Sequence, residues 1–380
     1  MAALSFYVHI PYCVRRCGYC DFNTYTPNEL LEGASLATVS GDYIDAVLQE
    51  LAIAKPRAFG EVSTIFFGGG TPSLLPAADL GRVISAIGQS WELSADCEIT
   101  LEANPDSVDA AKLSQLREVG FNRISFGMQS ALPHVLKVLD RTHNPSNVAR
   151  AVHAARQAGF ESLSLDLIYG TPGESLDNWR TSVESALALS VDHLSAYALI
   201  VESGTKLAAQ IKRGDLGMPQ DDLMADMYLL VDQLCESADL SWYELSNWSK
   251  AGFESRHNTA YWKNGNWWGL GPGAHSHLDG VRWWNVKHPT TYKKALAQGF
   301  SPIQESEILT EQQKSDEKIM LSIRMREGIA FSDLTSGQLK RISEYPQSGH
   351  LNLARWRDEV VQLTPQGRLI ADRIVRELVV

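Results

Sequence analysis

Six short apolar runs, at residues 5–10, 62–67, 97–101, 123–126, 162–168 and 193–200, alternate with helical patterns over the first half of the chain. Ile44, Val47, Leu48 and Leu51 recur at i, i+3, i+4 and i+7, and Leu113, Leu116 and Val119 make a shorter stripe. Strands that alternate with helices leave few folds open, because parallel strands need a crossover and that crossover is right-handed. The pattern predicts an α/β fold with parallel strands. Six such units suit a partial (β/α)6 barrel of the TIM type, with a flat doubly wound sheet as the alternative. In a barrel, residues at the C-terminal ends of the strands converge on one face, where active sites form. Chemically able residues fall at those positions again and again. Cys13, Cys17 and Cys20 follow the first run, and Gly68-Gly69-Gly70-Thr71-Pro72 follows the second. Glu102 and Asn104 follow the third, Gln129 the fourth, and Asp166 lies late in the fifth.

The three cysteines have the spacing Cys-x3-Cys-x2-Cys, short enough for one loop to wrap one metal centre. Thiolate-only ligation favours zinc or an iron–sulfur cluster, and a saturated cluster ordinarily takes four cysteines. With three, a [4Fe-4S] cube keeps one iron open, which is what metal chemistry on a bound molecule requires. Structural zinc is the competing reading, with His9 or Asp21 as the fourth ligand. It lacks the second cysteine pair that such sites ordinarily bring. Cys97 and Cys235 stand alone in apolar patterns and read as buried thiols. Five cysteines without secretory features argue against disulfides.

Charge removes one class of partner. Acidic residues number 45 against 34 basic, so no concentrated basic surface is expected and nucleic acid is excluded as a main partner. The N-terminus has no charged leader, and no apolar run is long enough to cross a bilayer. A cytoplasmic protein is the expectation, in a reducing compartment that suits a cluster.

The alternation stops near residue 200. Leu223, Met227, Leu230, Val231 and Leu234 mark a helix, and seven of the ten tryptophans then lie between Trp242 and Trp284. From about residue 308 the pattern is helical again, closing with Leu363-Thr364-Pro365-Gln366-Gly367 and a last helix. Three parts are expected: a barrel over 1–210, an aromatic-rich α/β region over 211–307 that completes the barrel mouth, and a small helical, winged-helix-like module over 308–380. Gly269-Leu270-Gly271-Pro272-Gly273 is not read as a dinucleotide loop, because it lacks the strand-to-helix context and Pro272 interrupts it.

Several strings carry a resemblance. Tyr7-Val8-His9-Ile10-Pro11-Tyr12-Cys13, the glycine run, Leu101-Glu102-Ala103-Asn104-Pro105, Ser125-Phe126-Gly127-Met128-Gln129-Ser130 and Asp166-Leu167-Ile168-Tyr169-Gly170-Thr171-Pro172-Gly173 together resemble the oxygen-independent coproporphyrinogen dehydrogenase group of the radical S-adenosylmethionine (SAM) superfamily. That resemblance covers residues 5 to about 205. It implies a [4Fe-4S] cluster on Cys13, Cys17 and Cys20, with SAM chelated at the open iron. Position by position it implies SAM contacts at Tyr7, Tyr19, Gly69, Gly70, Thr71, Glu102, Gln129, Arg141, Asp166 and Ala198. The residue types agree with those roles. Glu102 and Asp166 can accept from amine or hydroxyl groups, Gln129 can donate and accept, and Arg141 can meet a carboxylate.

Two departures separate the chain from the dehydrogenase itself. Phe22 stands where that enzyme has a further cysteine, and twelve residues precede Cys13 where it has a long arm. The string His257-Asn258-Thr259-Ala260-Tyr261-Trp262 is an addition that resembles the heme chaperone branch of the group. An imidazole beside flat aromatic rings is the simplest heme site. The branch implies heme at His257, with His275, His277 and His288 as candidates for a second axial ligand. The expected function is to bind heme and transfer it to acceptor apoproteins. The alternatives are porphyrinogen decarboxylation through a 5′-deoxyadenosyl radical, or radical chemistry on another aromatic substrate. The sequence leaves the oligomeric state, monomer or homodimer, open.

Overall fold

The computed structural model describes residues 3–379. Strands β1 (Ala3–Ile10), β2 (Glu61–Gly69), β3 (Leu93–Ala103), β4 (Arg123–Gln129), β5 (Ser162–Tyr169) and β6 (His193–Ala198) pair side by side, in parallel and in chain order. Each coincides with one of the apolar runs, the sixth ending two residues before its run does. Helices Tyr43–Ala54, Ala77–Ser90, Ala110–Glu118, Pro145–Gln157 and Leu176–Leu187 provide the crossovers. Pro145–Gln157 shows why they form. Asn144 caps its first turn through Ser146 N, Pro145 tolerates the first helical position, and Val148, Ala151, Val152 and Ala155 bury one face.

The sheet is not closed. The outer edge of β1 is taken by β9 (Asn266–Leu270), and that of β6 by the hairpin β7 (Ser241–Glu244) and β8 (Asn247–Ser249). Beyond β9 lie β10 (His275–Leu278), β11 (Val281–Asn285) and β12 (Ile303–Ile308), all antiparallel, giving a sheet of twelve strands. The aromatic-rich region, expected at the barrel mouth, meets Asn23 of the cysteine loop there through the Pro272 and Lys287 carbonyls. It widens both edges of the sheet and crosses between them at the opposite end. The crossing segment contains helix Arg256–Trp262. Its Arg256 and His257 amides donate to Glu98, early in β3, while Arg123, the first residue of β4, donates to the Phe253 carbonyl. Short strands of three to six residues, interrupted by Gly, Pro and Asp, carry too little periodicity to be placed from sequence.

A buried acid fastens the extension. Glu50, on helix Tyr43–Ala54, accepts from Gly271 N at 2.8 Å, Asn285 Nδ2 at 2.7 Å and Tyr292 Oη at 2.5 Å. Burial raises its carboxyl to about 7 even against those three donors. One apolar core runs from Leu4 to Leu296, and a second from Ile319 to Leu378. In the terminal segment a short antiparallel pair, Ile329–Ala330 with Val360–Val361, accompanies the expected helices. Cys97 and Cys235 are buried thiols, and all five cysteines are free. Among the described residues no helix is long and apolar enough to cross a membrane.

Candidate functional site

A cavity of about 950 Å3 runs along the inside of the six parallel strands, and the three cysteines, the ten implied SAM contacts and His257 all line it. The cysteine loop forms its rim. Tyr12 and Tyr25 pair as an isolated bridge, with Cys13 N donating to Tyr25 O at 3.0 Å and Tyr25 N to Pro11 O at 2.7 Å, so the loop closes on itself. It is tied down on both flanks. Gly18 N reaches Leu139 O and Leu207 N reaches Gly18 O, while Asn23 Nδ2 donates to Pro272 O and Lys287 O. Tyr19 packs on a small apolar cluster of Val135, Leu139, Ile168, Leu199 and Leu207. Three half-buried thiols thus face one space on a rigid loop.

Those thiols are not ready-made anions. Burial pushes the Cys13 thiol up to about 11, and burial likewise raises Cys20. A bound metal is what deprotonates such a thiol outright. Arg141 Nη1 donates to Cys17 Sγ at 3.4 Å, and Thr71 Oγ1 to Cys13 Sγ at 3.6 Å, so cationic and hydroxyl donors already surround the sulfurs. The zinc alternative loses His9, one of its two candidate fourth ligands: Nδ1 is hydrogen-bonded to Tyr7 Oη and Nε2 to the Asn23 carbonyl. Among the described residues no three His, Cys, Asp or Glu side chains converge on one ion. Thiols spread around a common space suit a body larger than one ion, so the donor set fits a cluster.

The glycine run presses against this loop. Gly70 N donates to Ile10 O and Thr71 N to Tyr12 O, both at 2.8 Å, and a Cβ on Gly70 would come within 2.6 Å of the Tyr12 carbonyl. Only glycine permits that approach, and it leaves Gly69, Gly70 and Thr71 as backbone wall beside the cysteines. Below them Glu102 accepts from Gly69 N at 3.1 Å. Burial, and after it the neighbouring Asp166, raises its carboxyl to about 8. Both oxygens of Asp166 accept from Ser125 Oγ at 2.9 Å. Gln129 ends β4 in the left-handed region, φ 60, beside a register shift, a strained conformation for a non-glycine residue that faces the cavity. Arg141 also donates to the Gly127 carbonyl at 2.8 Å, and its Nε is buried without a partner. Ala198, at the end of β6, offers backbone. Carboxylates, an amide, a guanidinium and open backbone around one space can together hold a zwitterionic, sugar-bearing ligand, which fits SAM.

His257 shares the cavity of the cysteine loop and the glycine run. It lies 2% exposed on the floor of the same cavity, stacked on Phe66 with ring centroids 5.0 Å apart. Thr64 Oγ1 gives its proton to Ser5 Oγ and so accepts from His257 Nδ1–H, at 2.7 Å. Nε2 therefore carries the lone pair, and that lone pair already receives the Tyr261 hydroxyl at 2.9 Å. Burial lowers this imidazole to about 3, so it is neutral. His275, His277 and His288 lie outside the cavity lining.

Sequence reasoning missed most of the cavity floor. Ser164 Oγ, His193 and Tyr243 Oη form a bonded chain of 2.8 and 2.9 Å, joined by Asn258 Nδ2 at 3.3 Å. The signal was present, because Thr64, Thr100, Arg123, Ser125, Ser164, His193 and Ser195 recur at alternate positions of strands read only as apolar runs.

A lumen inside parallel strands, rimmed by a three-cysteine loop, defines a radical SAM protein, and the family model described as the radical SAM superfamily matches residues 7–186. Relatives narrow this further. A heme chaperone HemW from Mycobacterium tuberculosis is 43% identical over 98% of this chain and 94% of its own, and one from Bacillus subtilis is 34% identical over 97% of each. The chain belongs to the heme chaperone HemW family. The HemW of Escherichia coli is 37% identical over 75% of this chain and 74% of its own. Among solved structures, coproporphyrinogen III oxidase (HemN) from Escherichia coli superimposes with a TM-score of 0.84 over 99% of this chain and 90% of its own. At 23% identity that likeness concerns the fold alone.

Proposed function

We propose that this chain binds heme and hands it to heme-accepting proteins, in the cytoplasm, with a [4Fe-4S] cluster and SAM as resident cofactors. What carries the reading is relatedness to heme chaperones along almost the whole chain, at 43% identity. Phe22 supports it: where the dehydrogenase has a cysteine, this chain presents a phenyl ring 62% exposed at the cavity rim. In this reading residues 1–210 form a partial (β/α)6 barrel, 211–307 carry heme functions, and 308–380 form a winged-helix-like module.

Cys13, Cys17 and Cys20 would hold the cluster, which when bound supplies an open iron for chelating SAM. The protein's own groups do the rest. Tyr7, Glu102, Gln129 and Asp166 bind and orient from the strands, Arg141 faces carboxylate charge, and Tyr19, Gly69, Gly70, Thr71 and Ala198 shape the wall. His257 joins this cofactor-binding wall from the floor. It can ligate iron only after the Tyr261 hydroxyl releases Nε2.

Two measurements on anaerobically reconstituted protein test the proposal. Hemin titration should give a saturable Soret change. Incubation with coproporphyrinogen, SAM and a strong reductant should release no carbon dioxide, and Phe22→Cys should not confer that activity. Carbon dioxide release by the wild-type chain would move the function to porphyrinogen decarboxylation.

A further inference from the structure

The four histidines between residues 211 and 307 differ in what their ring nitrogens do. His257 has both engaged, as described. His277 also has both engaged, with Nδ1 on the Gly265 carbonyl at 2.9 Å and Nε2 accepting from Gly280 N at 3.0 Å. His288 caps a helix through Nδ1, which accepts from Thr290 N at 3.2 Å, and stands edge-on to Tyr25. His275 is exposed, and among the described residues its ring makes no hydrogen bond.

His275 sits between an aromatic ring and closely packed backbone, with a lysine nearby. It pairs across strands with Trp284, and the two rings stack at 5.6 Å with 25° between planes, which fixes the imidazole while leaving its edge outward. On its other side Gly269 has no side chain, and a Cβ there would collide with the His275 carbonyl. Gly269 in turn pairs with Tyr7 of the cavity wall, so His275 and Trp284 continue that row outward. Trp267 Nε1 donates to the His275 carbonyl at 3.0 Å. The nearby cations differ in availability. Arg282 is engaged by Glu307 and Glu317, whereas Lys287 is exposed and has no ion-pair partner among the described residues. The Lys287 carbonyl receives Asn23 of the cysteine loop at 2.9 Å, which sets this face beside the cluster loop but outside the cavity.

We infer that His275 is the accessible iron ligand for heme, with Trp284 holding its plane and Lys287 meeting a propionate. This rests on the heme reading above and adds the place where heme sits. An open sheet face also suits transfer, since an acceptor can reach the iron without the chain unfolding around it. Hemin titrated into the full anaerobic chain, followed by Soret absorbance and electron paramagnetic resonance, tests it. His275→Ala should bind about tenfold more weakly, as loss of a metal-site group commonly does, and lose the histidine-ligated spectrum. Free imidazole should restore that spectrum, and cluster content should stay at the wild-type level. His288→Ala should keep the wild-type spectrum. An unchanged spectrum in His275→Ala, with wild type binding normally, overturns the assignment of His275 and leaves heme binding intact. Absence of hemin uptake by wild type sinks the heme reading as well.

Discussion

Replacing Cys13, Cys17 or Cys20 with alanine, one at a time, is expected to abolish the [4Fe-4S] cluster almost completely. No spare thiolate is within reach, because Cys97 and Cys235 are 7% and 0% exposed in the apolar core. Cys17→Ala carries a second penalty, since the Arg141 guanidinium loses a partner and keeps the Gly127 carbonyl. Iron and sulfide content of the reconstituted variants, with SAM affinity measured in parallel, reads the effect. Hemin uptake should survive in all three, because His275 lies outside the cavity lining. Native iron and sulfide in every variant, or zinc filling the site, would show that the cysteine loop does not hold a cluster.

What could be read in advance follows from how each feature is encoded. The six parallel strands were legible because each is an apolar run with helix-period residues on either side. The cavity rim was legible because cysteine and glycine spacing is local, set by one loop and one turn. The floor was not, since it is assembled from a row on each strand plus a helix that arrives from residue 256 onward. Nothing local in His257 announces that Thr64 occupies Nδ1, whereas Tyr261, one helical turn on, was within reach of the same string. Its string suggested an iron ligand, while the fold makes it a hydrogen-bonded member of the lumen. The reverse holds for His275. Its neighbours in sequence are small residues, and its exposure and stacking partner appear only when β10 pairs with β11.

The buried pair Asp232–Arg368 should dominate the attachment of the terminal module. Asp232 lies on helix Asp221–Ser237 beside the main core, and Arg368 belongs to the segment that carries the second core. The guanidinium grips both carboxylate oxygens, Nη1 at 2.8 Å and Nη2 at 2.5 Å, with side chains only 1% and 12% exposed for Arg368 and Asp232. Trp248 Nε1 adds a third donor to Asp232 at 2.8 Å, and the guanidinium carbon stands 4.3 Å from the centre of the Trp242 ring. Arg368→Ala leaves a carboxylate buried without its counter-charge, a change that typically costs about 3–5 kcal/mol. Urea unfolding should show that loss, and hydrogen exchange should place it in residues 319–378 while the cavity strands stay protected. Asp232→Leu combined with Arg368→Met should cost less than Arg368→Ala alone, because an apolar pair leaves no orphan charge. What remains should be near the penalty of the stranded Trp248 N–H, about 1–3 kcal/mol. Equal unfolding midpoints for wild type and Arg368→Ala would mean that the terminal module is held by its apolar contacts and that the ion pair contributes nothing to its attachment.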